Sequence, residues 1–194
     1  LGERGDQHPL AVGDAHPDLR EQVVDLGEGR AHLQLRVHQA SGAHHLLDHV
    51  VVRYAGNGNY YGYSAGLRIE TSSLTLQNST ISDTVHGIEI RYASPNLNAN
   101  VIEKNSGYGV QILGSPPGSP ATPALTGNVI RANSVGIYIN SASPTLSGNT
   151  VENNTNSGLE VVGNSAPVLS GNTFANNGTN GVVTGMAPDA ELMV

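Results

Sequence analysis

The feature that most narrows what this chain can fold into is an internal repeat. Leu47, Leu76, Leu97, Leu125, Leu146 and Leu169 open six units spaced 29, 21, 28, 21 and 23 residues apart, a base period of 21 to 23 with two expanded units. Four units carry a proline two residues before the leucine (Pro95, Pro123, Pro144, Pro167). The same four carry an asparagine three residues past it: Asn100, Asn128, Asn149 and Asn172. Five past the leucine comes Val52, Ile81, Ile102, Ile130, Val151 or Phe174, and eight past it a second asparagine column, Asn105, Asn133, Asn154 and Asn177. Each unit closes on a glycine followed by alternating apolar residues, as in Gly87-Ile88-Glu89-Ile90, Gly109-Val110-Gln111-Ile112 and Gly136-Ile137-Tyr138-Ile139.

These are three very short apolar segments per unit, separated by Gly, Asn, Ser and Pro, and none is long enough for an ordinary helix. A unit this small cannot bury its apolar side alone. Stacking coil on coil sets each Leu, Ile and Val over its counterpart and builds a continuous core from like layers. The spacing therefore predicts an all-β parallel solenoid of about six coils of 21–29 residues, with three short strands per coil. At a strand separation of about 4.8 Å, six coils make a rod about 29 Å long. The Asn columns then acquire a reason: a carboxamide has a donor and an acceptor end, so stacked Asn side chains bond along the column and to turn backbone, while tolerating left-handed turns.

The unit Pro-x-Leu-x-Gly-Asn-x-Val/Ile-x-x-Asn, closed by Gly-Val/Ile-x-Val/Ile, resembles the right-handed parallel β-helix repeat of the pectate-lyase-like superfamily over roughly residues 46–186. The resemblance implies the right-handed coil and an exported setting: extracellular, cell-surface or periplasmic. It is nearly silent on activity.

Residues 1–45 read differently. They contain no Asn, Thr, Ile or Tyr but six of the eight His. Two explanations stand: a distinct cap or linker, with a short helix from Pro17 to Gly27 and a strand through Leu33, Leu35 and Val37, or an out-of-frame reading of GC-rich DNA. Their histidines lack a repeated ligand spacing, so no metal site is expected there. At the other end, residues 187–194 form a tail without an amphipathic cap, so a truncated piece of a larger protein is expected.

Composition excludes several classes. The chain has 9 Lys+Arg against 16 Asp+Glu, a formal charge of −7, and its basic residues do not cluster, which argues against nucleic acid and acidic membrane surfaces. No run approaches the roughly 20 apolar residues of a spanning helix. The absence of Cys removes disulfides, thiolate zinc sites and thiol nucleophiles. No cofactor is expected, and a monomer is.

Function must come from outward positions. Two insertions, residues 56–63 and 115–120, leave opposite ends of the third strand and are expected to rim a shallow trough. Its floor follows from alternation: Arg68, Glu89, Gln111, Tyr138, Glu160 and Val183 in one column, Glu70, Arg91, Leu113, Asn140 and Val162 in the next. Opposite charges on adjacent rungs, Arg68 with Glu89 and Glu70 with Arg91, are read as structural pairs, as are Glu103, Arg131 and Glu152 on another face. Tyr60, Tyr61 and Tyr63, with Arg68, Gln111, Tyr138 and Glu160, are the ligand-binding candidates, because exposed aromatic rings suit sugar rings or protein partners.

The family resemblance implies, for a polysaccharide lyase or epimerase, a clustered base with cationic or calcium neutralisation of a sugar carboxylate, and for a hydrolase a cluster of Asp. Asp83 is the only Asp between Asp48 and Asp189, so a paired-Asp site has no material. A weak catalytic constellation remains: His86 beside Tyr108 of the next coil, near Glu89 and Arg91. His86 and Met186 are too few for copper. The reading is a noncatalytic β-helix segment of a larger exported or cell-surface protein that presents a surface to glycans or surface partners. The alternatives are a fragment of a polysaccharide lyase or epimerase, and a purely structural spacer.

Overall fold

In a computed structural model of the chain, the residues described are 44–55, 64–114 and 121–186, together with the backbone of three strands nearer the N-terminus, Asp18–Arg20, Val23–Asp25 and Leu35–Val37. They build three parallel sheets of seven strands each. The first sheet climbs from Asp18–Arg20 through His45–Asp48, Leu74–Gln77, Asn96–Asn98, Ala124–Thr126 and Thr145–Ser147 to Val168–Ser170. The second climbs from Val23–Asp25 to Thr173–Ala175, and the third from Leu35–Val37 to Asn180–Met186. No described residue is helical.

The repeat read from the sequence is the register of the sheets. Leu47, Leu76, Leu97, Leu125, Leu146 and Leu169 are successive partners in the first sheet. Val52, Ile81, Ile102, Ile130, Val151 and Phe174 are successive partners in the second. These columns and the inward residues of the third sheet, such as Ile88, Ile112, Ile137 and Val161, are buried in one continuous cluster, with Phe174, partly buried, packed against it. Each layer thus stands on an identical one, and the core has no end within the repeat.

The first segment adds a rung. Asp18–Arg20 pairs in parallel with residues of His45–Asp48, Val23–Asp25 with Val51–Arg53, and Leu35–Val37 with residues of Ala65–Ile69. The helix expected from Pro17 is corrected here: the backbone of Asp18–Arg20 and Val23–Asp25 is extended. An isolated helix of that length is marginal in water, whereas the first repeat coil offers a row of unpaired backbone groups to a strand. Pro17, Gly27 and Leu33 lie outside the described residues.

Each coil turns at two left-handed corners. Two residues past the leading Leu stand His49, Asn78, Ala99, Gly127, Gly148 and Gly171, at φ of 50–63°. Two past the second-strand apolar residue stand Tyr54, Asp83, Lys104, Ala132, Asn153 and Asn176, at φ of 53–57°. A non-glycine residue there costs roughly 1–2 kcal/mol. The cost persists because the corner delivers the next side chain into the interior, and in four coils that side chain is a ladder asparagine.

The ladders form as expected, and their interior carboxamides bond at both ends. Asn128 Nδ2 donates to Asn149 Oδ1 and to Leu97 O, both at 2.9 Å. Its Oδ1 accepts from Asn100 N and Asn100 Nδ2, both at 3.0 Å. The second ladder repeats the scheme through Asn105, Asn133, Asn154 and Asn177. Both ladders begin one coil earlier than the asparagine pattern, on Ser79 and Thr84: Ser79 N donates to Asn100 Oδ1 at 3.0 Å and Thr84 N to Asn105 Oδ1 at 3.1 Å. The closing glycines make the room. A Cβ on Gly109 would lie 2.7 Å from Gly136 O and 2.8 Å from both Asn133 Nδ2 and Ile130 Cγ2.

Candidate binding face on the third sheet

The third sheet is the broadest wall of the rod. From Ala65–Ile69 to Asn180–Met186 its strands run five to seven residues, against three or four in the other two sheets. Its outward residues align as alternation requires: Arg68, Glu89, Gln111, Tyr138, Glu160 and Val183 are successive register partners, and beside them run Arg91, Leu113, Asn140 and Val162.

The N-terminal half of this wall is an ion network. Arg68 Nε lies 2.7 Å from Glu70 Oε1 and 4.0 Å from Glu89 Oε2, and Arg91 Nε donates to Glu89 Oε1. Arg68 and Glu89 are 6% and 3% exposed. The cross-rung pair Arg68–Glu89 is present, but the shorter contacts run along each strand, Arg68 to Glu70 and Arg91 to Glu89. Residues two apart on a strand share a face about 6.6 Å apart, well within reach of an arginine. On the second sheet Glu103, Arg131 and Glu152 are register partners, with Arg131 Nε donating to Glu103 Oε2 at 2.8 Å.

Past the ion network stands a three-ring stack. The His86 and Tyr108 rings lie 4.9 Å apart at 16°, and Tyr108 and Tyr138 lie 4.7 Å apart at 23°. His86 and Tyr108 are the corner neighbours expected from the sequence. Tyr138 joins from another column, since it is the register partner of Gln111 while Tyr108 faces Val135. Gly107 makes the stack possible: a Cβ there would fall on the His86 imidazole and 2.9 Å from Val85 O.

Protonation on this wall is fixed by burial and by one backbone bond. Tyr108 N–H donates to His86 Nδ1 at 3.0 Å, so Nδ1 is unprotonated and the neutral ring carries its proton on Nε2. Burial holds His86 below its ordinary value, opposed by Glu89. Burial pushes the Tyr108 phenol up, with Tyr138 and Glu160 adding to it. The four candidates for base, acid and cation, His86, Tyr108, Glu89 and Arg91, are therefore brought together, but the basic nitrogen of His86 is occupied and Arg91 is held by Glu89.

Tyr60, Tyr61 and Tyr63, and both insertions that were to rim the trough, lie outside the described residues. Tyr54 is half open at one of the left-handed corners. Among the described residues no group of three His, Cys, Asp or Glu is arranged to hold a metal, and no helix is long and apolar enough to cross a membrane. At the far edge of the third sheet an open depression of about 460 Å³ is lined by Tyr92, Leu113, Gly114, Asn140 and Ser141.

The stacked register, the three walls and the Asn ladders define a parallel β-helix. A family model described as a right handed beta helix region matches residues 60–187. The chain belongs to that family, in keeping with the pectate-lyase-like superfamily that its repeat resembles. No curated protein and no solved structure matches it.

Proposed function

We propose that this chain is a noncatalytic β-helix of an exported or cell-surface protein, and that the outer wall of its third sheet binds glycan. The observation that carries the reading is the His86–Tyr108–Tyr138 stack, set on the broadest wall beside the hydrogen-bonding groups of Gln111 and Glu160. Aromatic rings with polar tips, flanked by an amide and a carboxylate, match the mixed apolar and hydroxyl-rich surface of a sugar. The test is a glycan array probed with the 194-residue chain and with Tyr138→Ala. Glycan binding that is lost in a variant still folded at the assay temperature supports the reading, and silence across the array sinks it.

A second reading, a fragment of a polysaccharide lyase or epimerase, draws on the adjacency of His86, Tyr108, Glu89 and Arg91. Against it stand the occupied Nδ1 of His86 and the carboxylate already paired with Arg91. Cleavage of a uronate polymer, followed at the absorbance of the unsaturated product and abolished in His86→Ala, would favour it.

A further inference from the structure

The charges on the third wall are not evenly distributed. Arg68, Glu70, Glu89 and Arg91 form a network of two cations and two anions that cancels. Two rungs on from Gln111, Glu160 stands half-buried with no ion pair or hydrogen bond among the described residues, directly beside Tyr138 in the register. One face of the Tyr138 ring is covered by Tyr108, and the neighbour on its other side is the Glu160 rung, followed by Val183, which is short, apolar and 36% exposed. The nearest titrating neighbours carry no fixed positive charge: burial lowers the His86 imidazole's hold on a proton and raises that of the Tyr108 phenol. An aromatic face and an uncompensated carboxylate one rung apart form a site for a cation, which a ring quadrupole and a negative charge both attract. The chain's formal charge of −7 favours the same sign of partner.

Resting on the glycan reading, we infer that the ligand is a cationic amino sugar: a hexosamine polymer with free amines, its ammonium group seated between the Tyr138 ring and the Glu160 carboxylate, its ring edge against Gln111. Neutral sugars offer Glu160 hydroxyl hydrogen bonds but no opposite charge, and uronate polymers would bring a carboxylate against it.

The experiment is calorimetric titration of the 194-residue chain, in mildly acidic buffer of low ionic strength, with three oligosaccharides of equal length: a glucosamine tetramer, its fully N-acetylated counterpart and cellotetraose. The glucosamine tetramer is expected to bind about tenfold more tightly than either neutral sugar, an advantage that fades with added salt. Glu160→Gln removes the preference while leaving the weak neutral binding. Tyr138→Phe retains it, and Tyr138→Leu loses it, with thermal midpoints checking that each variant is folded. Equal binding of all three sugars, or a preference that survives Glu160→Gln, overturns the cationic assignment and leaves the glycan reading standing. No binding of any of the three overturns the cationic assignment as well, and the glycan reading is then decided by the array.

Discussion

The two faces of the third sheet are built from the same strands under opposite rules. Inward, each rung repeats its neighbour: a glycine, then Leu67, Ile88, Val110, Ile137 or Leu159, then Ile69, Ile90, Ile112, Ile139 or Val161, all buried. Outward, the column reads Arg68, Glu89, Gln111, Tyr138, Glu160 and Val183, with no two successive residues alike. The interior is a lattice in which one rung fixes the next, so a change propagates. The exterior is held by strands that exist for other reasons and is free to carry chemistry. The difference predicts large effects for substitutions inside and small ones outside.

The largest effect is expected at a ladder asparagine. Asn128→Ala leaves Asn100 N–H, Asn100 Nδ2 and Leu97 O without their partners in a site closed to water. At about 1–3 kcal/mol for each orphaned group, partly relieved by relaxation, a loss of about 3–5 kcal/mol is expected in urea unfolding. Asn172→Ala, on the more open last rung, should cost distinctly less. Equal losses at the two positions would show that the ladder is not a buried lattice.

Next come the glycines. Gly109→Ala drives a methyl into Gly136 O, Asn133 Nδ2 and Ile130 Cγ2, and overpacking of this kind costs about 1–3 kcal/mol or more. Gly127→Ala meets nothing within 4 Å and carries only the left-handed penalty at φ +63°, about 1 kcal/mol. The pair separates two reasons for glycine in successive coils, and thermal midpoints that fall equally would remove the steric explanation of the closing glycine.

Inside and outside also differ in what a reader of the sequence sees. Vertical repetition is visible as period, so the Leu, Ile and Asn columns and the alternating outer columns are legible without coordinates. Ser79 and Thr84 were within reach too, at the same offsets of three and eight from Leu76 as the asparagines, but a change of residue type hid them. The first segment hid its rung in the same way, since its backbone pairs as the repeat does while its composition does not. What period cannot show is how long side chains lean. Tyr138 sits in the Gln111 column yet stacks on Tyr108, and Arg68 reaches along its own strand to Glu70, because outer side chains choose among neighbours that register alone makes nearly equivalent.

That freedom limits what the outer rings contribute to folding. Tyr138→Ala removes one stacked pair and little buried area, so a loss of about 1 kcal/mol or less is expected. A loss as large as that of Asn128→Ala would mean the stack belongs to the lattice, and the division between the two faces would fail.

The smallest expected effect is a pH slope at His86. Folding holds this imidazole neutral, chiefly through burial, with Nδ1 accepting from Tyr108 N–H. The unfolded chain takes up a proton at the ordinary value near 6.5. Just below that pH the unfolded state binds more protons than the folded one, so the contribution is complete above 6.5 and is lost as pH falls through the depressed folded value. Asp48 acts in a separate, more acidic window. Its carboxyl is held below 3.8, first by the hydrogen bond from Asn78, so its contribution is present above 3.8 and declines on further acidification. Urea midpoints measured from pH 7.5 down to 5 should therefore fall for the native chain relative to His86→Asn, which keeps a side-chain acceptor for Tyr108 N–H but does not titrate. The two proteins differ at this one position, so contributions from elsewhere in the chain cancel in the difference. Parallel profiles would show that the imidazole is not held as a neutral acceptor, and the bond from Tyr108 N–H would no longer tie the outer rings to the strand beneath them.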